Sequence, residues 1–250
     1  MSRPHAIILA AGLGSRLRPL TDHTPKPLVE VAGHPLIAYG LGLLRENGIE
    51  DVVVNVHHLA DRVRDELGDG SKYGVRIRYS VERVLLDSGG GIRQAATLFE
   101  QPVDGPLVVL NADVVTEVPL KDVLAFHARR DALATFVLRD DPRKDAYGVF
   151  GIDPDGRIQR FLGRGAPPGL PEYMFASVQI LSPSVLARMP EGPFSSMRGL
   201  YPDLFAEQAR LFGYVYNGPW HTADTREDLE NTAAALQQNG LPGYMSAHGE

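Results

Sequence analysis

Arg16 and Lys26 stand ten residues apart in 9-LAAGLGSRLRPLTDHTPKPL-28, a segment with little to bury. Gly12 and Gly14 precede the arginine as G-x-G-x-R, and Pro25 and Pro27 flank the lysine. Glycines let successive backbone N–H groups point at one anion. An arginine grips a phosphate with a planar fork, and a lysine between two prolines is a compact charge on a stiffened chain. This chemistry suits a triphosphate whose β and γ groups must leave. Two familiar phosphate loops are excluded. Leu17 stands where a dinucleotide fingerprint needs its third glycine, and the chain has no G-x-x-x-x-G-K-[ST] string.

Two further segments carry candidate chemistry. In 111-NAD-113, Asp113 ends the apolar run 106-PLVVL-110. A hard divalent cation needs one or two carboxylates beside substrate phosphates. An Asp that turns the chain or caps a helix has the same local pattern. Gly89, Gly90 and Gly91 remove bulk where a flat base could stack, or mark a turn and a helix start. His57 and His58 lack a metal-ligating partner at useful spacing and are expected in surface or core roles.

These segments need a scaffold. Strands are expected at His5–Ala10, 51–56, 75–80, 106–110 and 134–140, and helices at Pro35–Glu46, Leu59–Leu67, Gly90–Phe99 and Leu120–Arg129. Their alternation predicts a parallel sheet covered on both faces, with right-handed crossovers. Ligands of such sheets bind at the carboxyl ends of the strands, where all three segments converge. From Asp141 onward Pro and Gly are frequent. A hairpin of Tyr147–Ile152 with Arg157–Leu162 is expected about Pro154–Gly156. A strand at Tyr173–Leu181, helices at Pro183–Met189 and Leu200–Ala209, a strand at Tyr214–Tyr216 and a helix at Thr225–Gln238 follow. Residues 1–238 are expected to form one domain, halves 1–140 and 141–238, with 239–250 a frayed tail.

Composition narrows the function. The 250 residues are 44% hydrophobic, enough for a real core. A net charge of −6 argues against a nucleic-acid partner, so the cations must act locally. The absence of cysteine excludes disulfides, thiolate nucleophiles and cysteine-based metal sites, and fits a cytoplasmic protein. The run 6-AIILAA-11 is too short for a secretory core region or a membrane span, so no membrane partner is expected. A monomer and a homo-oligomer both remain compatible with the sequence.

The segment 8-ILAAGLGSRLRPLTDHTPKPLVEVAGHPLI-37 resembles the signature of the sugar-1-phosphate nucleotidylyltransferases, also called NDP-sugar pyrophosphorylases. The likeness continues through 84-VLLDSGGGI-92, 111-NAD-113, 198-RGLYPDLF-205 and 220-WHTADTREDL-229. It implies an α/β fold, a Rossmann-like mixed, mostly parallel central sheet with an inserted α+β sugar-binding portion. The first half would then bind nucleotide and the second sugar. It implies transfer of NMP from a nucleoside triphosphate to a sugar 1-phosphate with Mg²⁺, for cell-wall or surface polysaccharide. Arg16 and Lys26 would hold the triphosphate and the leaving pyrophosphate, and Asp113 the metal. Nucleotide contacts would fall to Ala10, Ala11, Gly12, Gly14, Ser15, Gly89, Gly90 and Asn111.

The chain departs from the family pattern twice. In the W-x-D-x-G-T string, Thr222 stands at the metal-binding Asp and Asp224 at the usual Gly. Asp224 either reaches the metal, since residues two apart on an extended segment share a face, or caps the last helix. In place of F-x-E-K-P the chain has Phe161-Leu162-Gly163-Arg164-Gly165, and Ala176-Ser177 replaces Thr-Gly. Arg164 and Ser177 are therefore the expected sugar-phosphate contacts. GTP with mannose 1-phosphate or a similar hexose is the expected pairing. UTP with N-acetylmuramate 1-phosphate and a non-catalytic nucleotide-sugar-binding regulator are the alternatives.

Overall fold

Polar residues are missing from 6-AII-8 and 52-VVV-54 because these strands are covered on both faces. Ala6, Ile7, Ile8, Val52, Val53 and Val54 are all 0% exposed. The computed structural model describes residues 3–165 and 169–248. The first half runs β1 His5–Leu9, α1 Leu20–His23, the short pair β2 Glu30–Val31 and β3 His34–Pro35, α2 Leu36–Glu46, β4 Asp51–Val56 and α3 Ala60–Leu67. It continues with β5 Arg76–Val81, α4 Asp87–Ala96, β6 Leu107–Asn111, β7 Val114–Thr116 and α5 Leu120–Arg129. The second half holds β8 Ala134–Arg139, α6 Lys144–Tyr147, β9 Val149–Ile152, β10 Ile158–Phe161, β11 Arg164–Gly165 and β12 Glu172–Leu181. After these come α7 Pro183–Leu186, α8 Tyr201–Ala206, β13 Leu211–Val215, β14 Trp220–Thr222 and α9 Arg226–Asn239.

Both halves share one ten-stranded mixed sheet in the order β11-β10-β9-β12-β6-β1-β4-β5, with β8 beside β12 and β13 outside β8. The stretch β6-β1-β4-β5 is wholly parallel, with Ile7 facing Val53 on one side and Val109 on the other. β12 then joins antiparallel to β6, and the β9–β10 hairpin forms as expected. Side chains of β1 alternate between two cores. Ala6 and Ile8 join Tyr39, Leu41, Val54 and Trp220, whereas Ile7 joins Val53, Ile92, Phe136, Phe161 and Tyr201.

Two expectations are corrected. α4 begins at Asp87, not Gly90, so the three glycines lie inside it. The expected tail is packed as far as it is described. Gly243–His248 forms a 3-10 turn, and Tyr244, 6% exposed, donates its hydroxyl to the Thr116 carbonyl at 2.9 Å. Gly42 of α2 admits that ring, since a Cβ there would stand 2.8 Å from it. A single aromatic among small polar residues carries no periodicity, which is why the sequence reads as a tail.

Candidate active site

A cleft of about 920 Å³ opens at the carboxyl ends of β1, β4 and β6. That volume suits a small-molecule ligand. The segment after β1 forms its floor, with Ala10, Ala11, Gly12, Gly14, Ser15 and Arg16 all lining it. The segment is pinned from below, because Ala10 N–H donates to Asn55 Oδ1 at 2.7 Å. It turns at Gly14, whose φ of 61° favours glycine and whose absent Cβ would lie 2.8 Å from Thr21. The Gly14 carbonyl accepts from Leu17 N–H at 2.9 Å and from the Thr21 hydroxyl at 2.8 Å. The loop is thereby held by its own sequence.

The charged centre is assembled from distant positions. Asp113 sits between β6 and β7, and β7 pairs antiparallel with β14, Thr222 opposite Val114. Ala223 N–H donates to the Asp113 carbonyl at 3.1 Å, which brings Asp224 beside Asp113. Lys26 Nζ donates to Asp113 Oδ2 and, at 2.7 Å, to Asp224 Oδ1. Arg16 lies 3.1 Å from the same Asp224 oxygen. Burial opposes the charge on Lys26, but the two carboxylates outweigh it and raise its pKa above the usual lysine value. Burial likewise works against ionised Asp224, and Lys26 and then Arg16 hold its pKa below the usual carboxylate value.

The alternative role for Asp224 as a helix cap is corrected. Thr225 caps α9 in a reciprocal box with Asp228, leaving the Asp224 carboxylate to the cleft. Thr222 lines the cleft without supplying an anion. Asp113 Oδ1 is buried with no hydrogen-bond partner. An orphaned carboxylate oxygen, and an ammonium already bridging the two acids, fit a hard divalent cation at Asp113 and Asp224.

Other expected contacts divide. Asn111, at the end of β6, lines the cleft. So does Ser177, held at φ 62° in the bulge of β12 between Phe175 and Gln179. Bulges beside sites re-aim side chains in this way. Gly89 and Gly90 do not reach the cleft. Their N–H groups donate to the Phe194 carbonyl at 3.0 and 3.2 Å, and Leu85, Asp87 and Ser88 line the cleft there instead. The reason is steric, since a Cβ on Gly89 would stand 2.1 Å from the Phe194 ring. Arg164 is exposed on β11, paired with Phe161 at the sheet edge and outside the cleft. Arg198 lines the cleft, a place that sequence reasoning does not assign to it. Its one signal is its presence in 198-RGLYPDLF-205, and nothing local says where that segment lies.

Solved structures share this fold. HddC from Yersinia pseudotuberculosis complexed with GMP-PN superposes with a TM-score of 0.77 at 21% identity, covering 93% of this chain and 99% of that one. A putative glucose-1-phosphate thymidylyltransferase from Bacillus anthracis gives 0.82 at 20%, covering 97% and 99%. Residues 5–189 match the family model described as nucleotidyl transferase, and the chain belongs to that family. The N-acetylmuramate alpha-1-phosphate uridylyltransferase of Neisseria meningitidis serogroup B is 37% identical over 223 residues, 86% of this chain and 90% of the relative. The mannose-1-phosphate guanylyltransferase of Mycobacterium tuberculosis is 32% identical over 241 residues, 95% of this chain. This chain spans only 66% of that relative's length.

Proposed function

We propose that the protein transfers a nucleoside monophosphate from a nucleoside triphosphate to a sugar 1-phosphate and releases pyrophosphate. The observation that carries this reading is the joining of Arg16, Lys26, Asp113 and Asp224 on one glycine-shaped loop and one strand pair. An ionised oxygen of the sugar phosphate attacks the α-phosphorus. A new P–O bond forms as the bond to the β-phosphate oxygen breaks, and no general base is needed. The barrier is electrostatic, so positioned donors and cations supply most of the rate.

The N–H groups from Gly12 to Arg16 hold the outer phosphates, and Arg16 and Lys26 stabilise charge on the departing pyrophosphate. Asp113 and Asp224 would hold a divalent cation, Mg²⁺ in our reading, which when bound neutralises phosphate charge and polarises the α-phosphate. Leu85, Asp87 and Ser88 line the nucleotide side, and Phe175 and Ser177 the sugar side. A regulator that only bound nucleotide sugar would not need both cations and both carboxylates. The chain would act in the cytoplasm, where nucleoside triphosphates are available, for cell-wall or surface polysaccharide.

GTP with mannose 1-phosphate or a similar hexose is the pairing drawn from the sequence. The neisserial uridylyltransferase favours a second reading, UTP with N-acetylmuramate 1-phosphate, because it matches over nearly its whole length. The test is pyrophosphate release from each nucleoside triphosphate against a panel of sugar 1-phosphates with Mg²⁺. Turnover with one pairing, lost in Asp113→Asn, supports the reading and names both substrates. Nucleotide-sugar binding without turnover for any pairing overturns it.

A further inference from the structure

We infer that Arg143, which stands behind the cleft rather than in it, is a positioning residue that ties the carboxylate of Asp224 to the sugar-side wall at Tyr147; this rests on the transfer reaction proposed above. The need for such a tie comes from the place of the acid, at 224 rather than 222. The β7–β14 ladder ends with Thr222 opposite Val114, so Asp224 stands beyond its last pair. Its backbone is held from both sides instead. Ala223 N–H donates to the Asp113 carbonyl, and the cap of α9 begins at the next residue, Thr225. Asp228 makes that cap with one of its two oxygens. Its Oδ2 accepts from Thr225 N–H at 3.0 Å and from the Thr225 hydroxyl at 2.8 Å. Its Oδ1 accepts from the Arg143 guanidinium at 3.3 Å.

The same guanidinium holds α6. Its Nε and one terminal nitrogen donate to the two oxygens of Asp141 at 3.0 and 3.2 Å, and Arg143 N–H donates to Asp141 Oδ1 at 2.9 Å. Asp141 is 5% exposed and also accepts from Arg139. α6 runs only from Lys144 to Tyr147, and Tyr147 lines the cleft. The guanidinium lies 5.9 Å from the centre of the Tyr147 ring and 5.6 Å from that of Trp220, which opens β14. A planar guanidinium can stack and donate in several directions at once, whereas a lysine ammonium is a point charge. One side chain thus meets the cap beside Asp224, the strand that leads to it and a residue of the sugar side. It faces a separate cavity of about 390 Å³, and Thr222 lines both this cavity and the cleft. Partners behind metal ligands orient them, at a cost on mutation of about 10- to 100-fold in metal affinity or activity. The Arg143 side chain is 41% exposed, which places it at the lower end of that range.

The test compares Arg143→Ala, Arg143→Lys, Asp228→Asn and the double variant Arg143→Ala/Asp228→Asn with wild type. Mn²⁺ binding is measured from the electron paramagnetic resonance of the free ion, with Asp113→Asn as the control. The Mg²⁺ requirement of turnover and the two substrate KM values are measured separately. Arg143→Ala is expected to weaken Mn²⁺ binding and raise the Mg²⁺ requirement roughly 10-fold. At saturating Mg²⁺ its nucleotide KM should return to within about twofold of wild type, while the sugar-phosphate KM stays up about 3- to 5-fold, the scale of a lost cation–π contact. Asp228→Asn keeps an oxygen for the Thr225 cap but breaks the tie, so it should show the metal defect with a sugar-phosphate KM near wild type. In the double variant the metal losses should not add, since both changes break one tie. Arg143→Lys should recover part of the loss. A lower melting temperature in Arg143→Ala, with Mn²⁺ binding and sugar-phosphate KM of wild type, makes the residue merely structural and overturns the inference. Additive metal losses overturn it too. Should Arg143→Ala not fold, Asp228→Asn and Arg143→Lys carry the same comparison. Absence of turnover in wild type with every pairing counts against the reaction, and Mn²⁺ binding then still decides the tie between Arg143 and Asp224. A wild type that turns over but binds Mn²⁺ no better than Asp113→Asn overturns the inference and leaves the reaction standing.

Discussion

The wall of the cleft that carries Arg16, Lys26, Asp113 and Asp224 is closed on itself, every cation having an acid within 3.1 Å. The other wall, from Tyr147 and Leu162 through Phe175 and Ser177 to Met197, is largely apolar, and its one cation among the described residues is Arg198. The first wall keeps its charges by pairing them, since an unpaired buried charge is costly, and so presents positioned cations before any substrate arrives. The second has little charge to keep. It is also built differently. The charged wall hangs on the ends of parallel β1 and β6 and on the antiparallel β7–β14 pair, whereas the apolar wall depends on a bulge, a hairpin and the segment 192–201.

The largest effect should come from breaking the charged wall. Lys26→Ala is expected to lower kcat/KM by a factor matching about 2–4 kcal/mol, by analogy with loss of one oxyanion donor. It also leaves Asp113 and Asp224 adjacent without the ammonium. Thermal melting should therefore show a loss of stability that Mg²⁺ restores in the variant more than in wild type. Wild-type turnover in Lys26→Ala would break the distinction between the walls.

The support behind the apolar wall should fail at acid pH first. His127 of α5 is 5% exposed, and burial pushes its pKa down to about 4. Ser182 Oγ donates to the Ala132 carbonyl, so it accepts from His127 Nε2 at 3.1 Å, and Nδ1 accepts from the Thr135 hydroxyl at 2.9 Å. The ring must therefore stay neutral in the folded state. The unfolded chain binds a proton near pH 6.5 and the folded one only near 4, so stability present above pH 6.5 is lost as pH falls through that window. The loss is about 3 kcal/mol at most. Urea unfolding at pH 7 and 4.5 should show it in wild type and not in His127→Gln. Equal slopes in the two proteins would remove His127 as the source.

Two glycines sharpen the comparison at smaller cost. Gly12 lies on the charged wall, and a Cβ added there would meet nothing within 4 Å, so Gly12→Ala should leave melting unchanged and raise the nucleotide KM. Gly89 lies under the segment 192–201, where a Cβ would meet the Phe194 ring at 2.1 Å. Gly89→Ala should destabilise by about 1–3 kcal/mol, as overpacking does. By displacing that segment it should also raise the sugar-phosphate KM. An unstable Gly12→Ala with a silent Gly89→Ala would reverse the assignment of the two glycines.

Legibility in the sequence follows the same division. Arg16, Lys26, Gly12 and Gly14 lie in one continuous segment whose chemistry is local, and β1, β4 and β6 are apolar runs that can only be buried. Asp224 is recognisable as a candidate, but its choice between metal and helix cap turns on Thr225, which forms the box with Asp228. Gly89 and Gly90 read as base contacts because glycine tells of a close approach without telling what approaches. Here it is Phe194, more than a hundred residues away. Arg164 and Arg198 cannot be ranked from the sequence, since their positions depend on where β11 ends and on the bonds between Phe194 and the start of α4.

The smallest expected effect concerns the turn beyond α9. The Tyr244 hydroxyl bonds the carbonyl of Thr116, which lies on β7 only three residues from Asp113, so the turn touches the strand that carries the charged wall. Tyr244→Phe keeps the ring against Gly42 and removes only that bond. It should cost about 1 kcal/mol, or a Tm lower by roughly 2–4 °C. Activity should stay within about threefold, because β7 remains paired with β14 through Trp220 opposite Thr116. A much larger fall in kcat, with Tm near wild type and a raised Mg²⁺ requirement, would give the opposite answer. The β7–β14 ladder would then be too short to hold Asp113 unaided, and the turn would belong to the charged wall as one of its positioning elements.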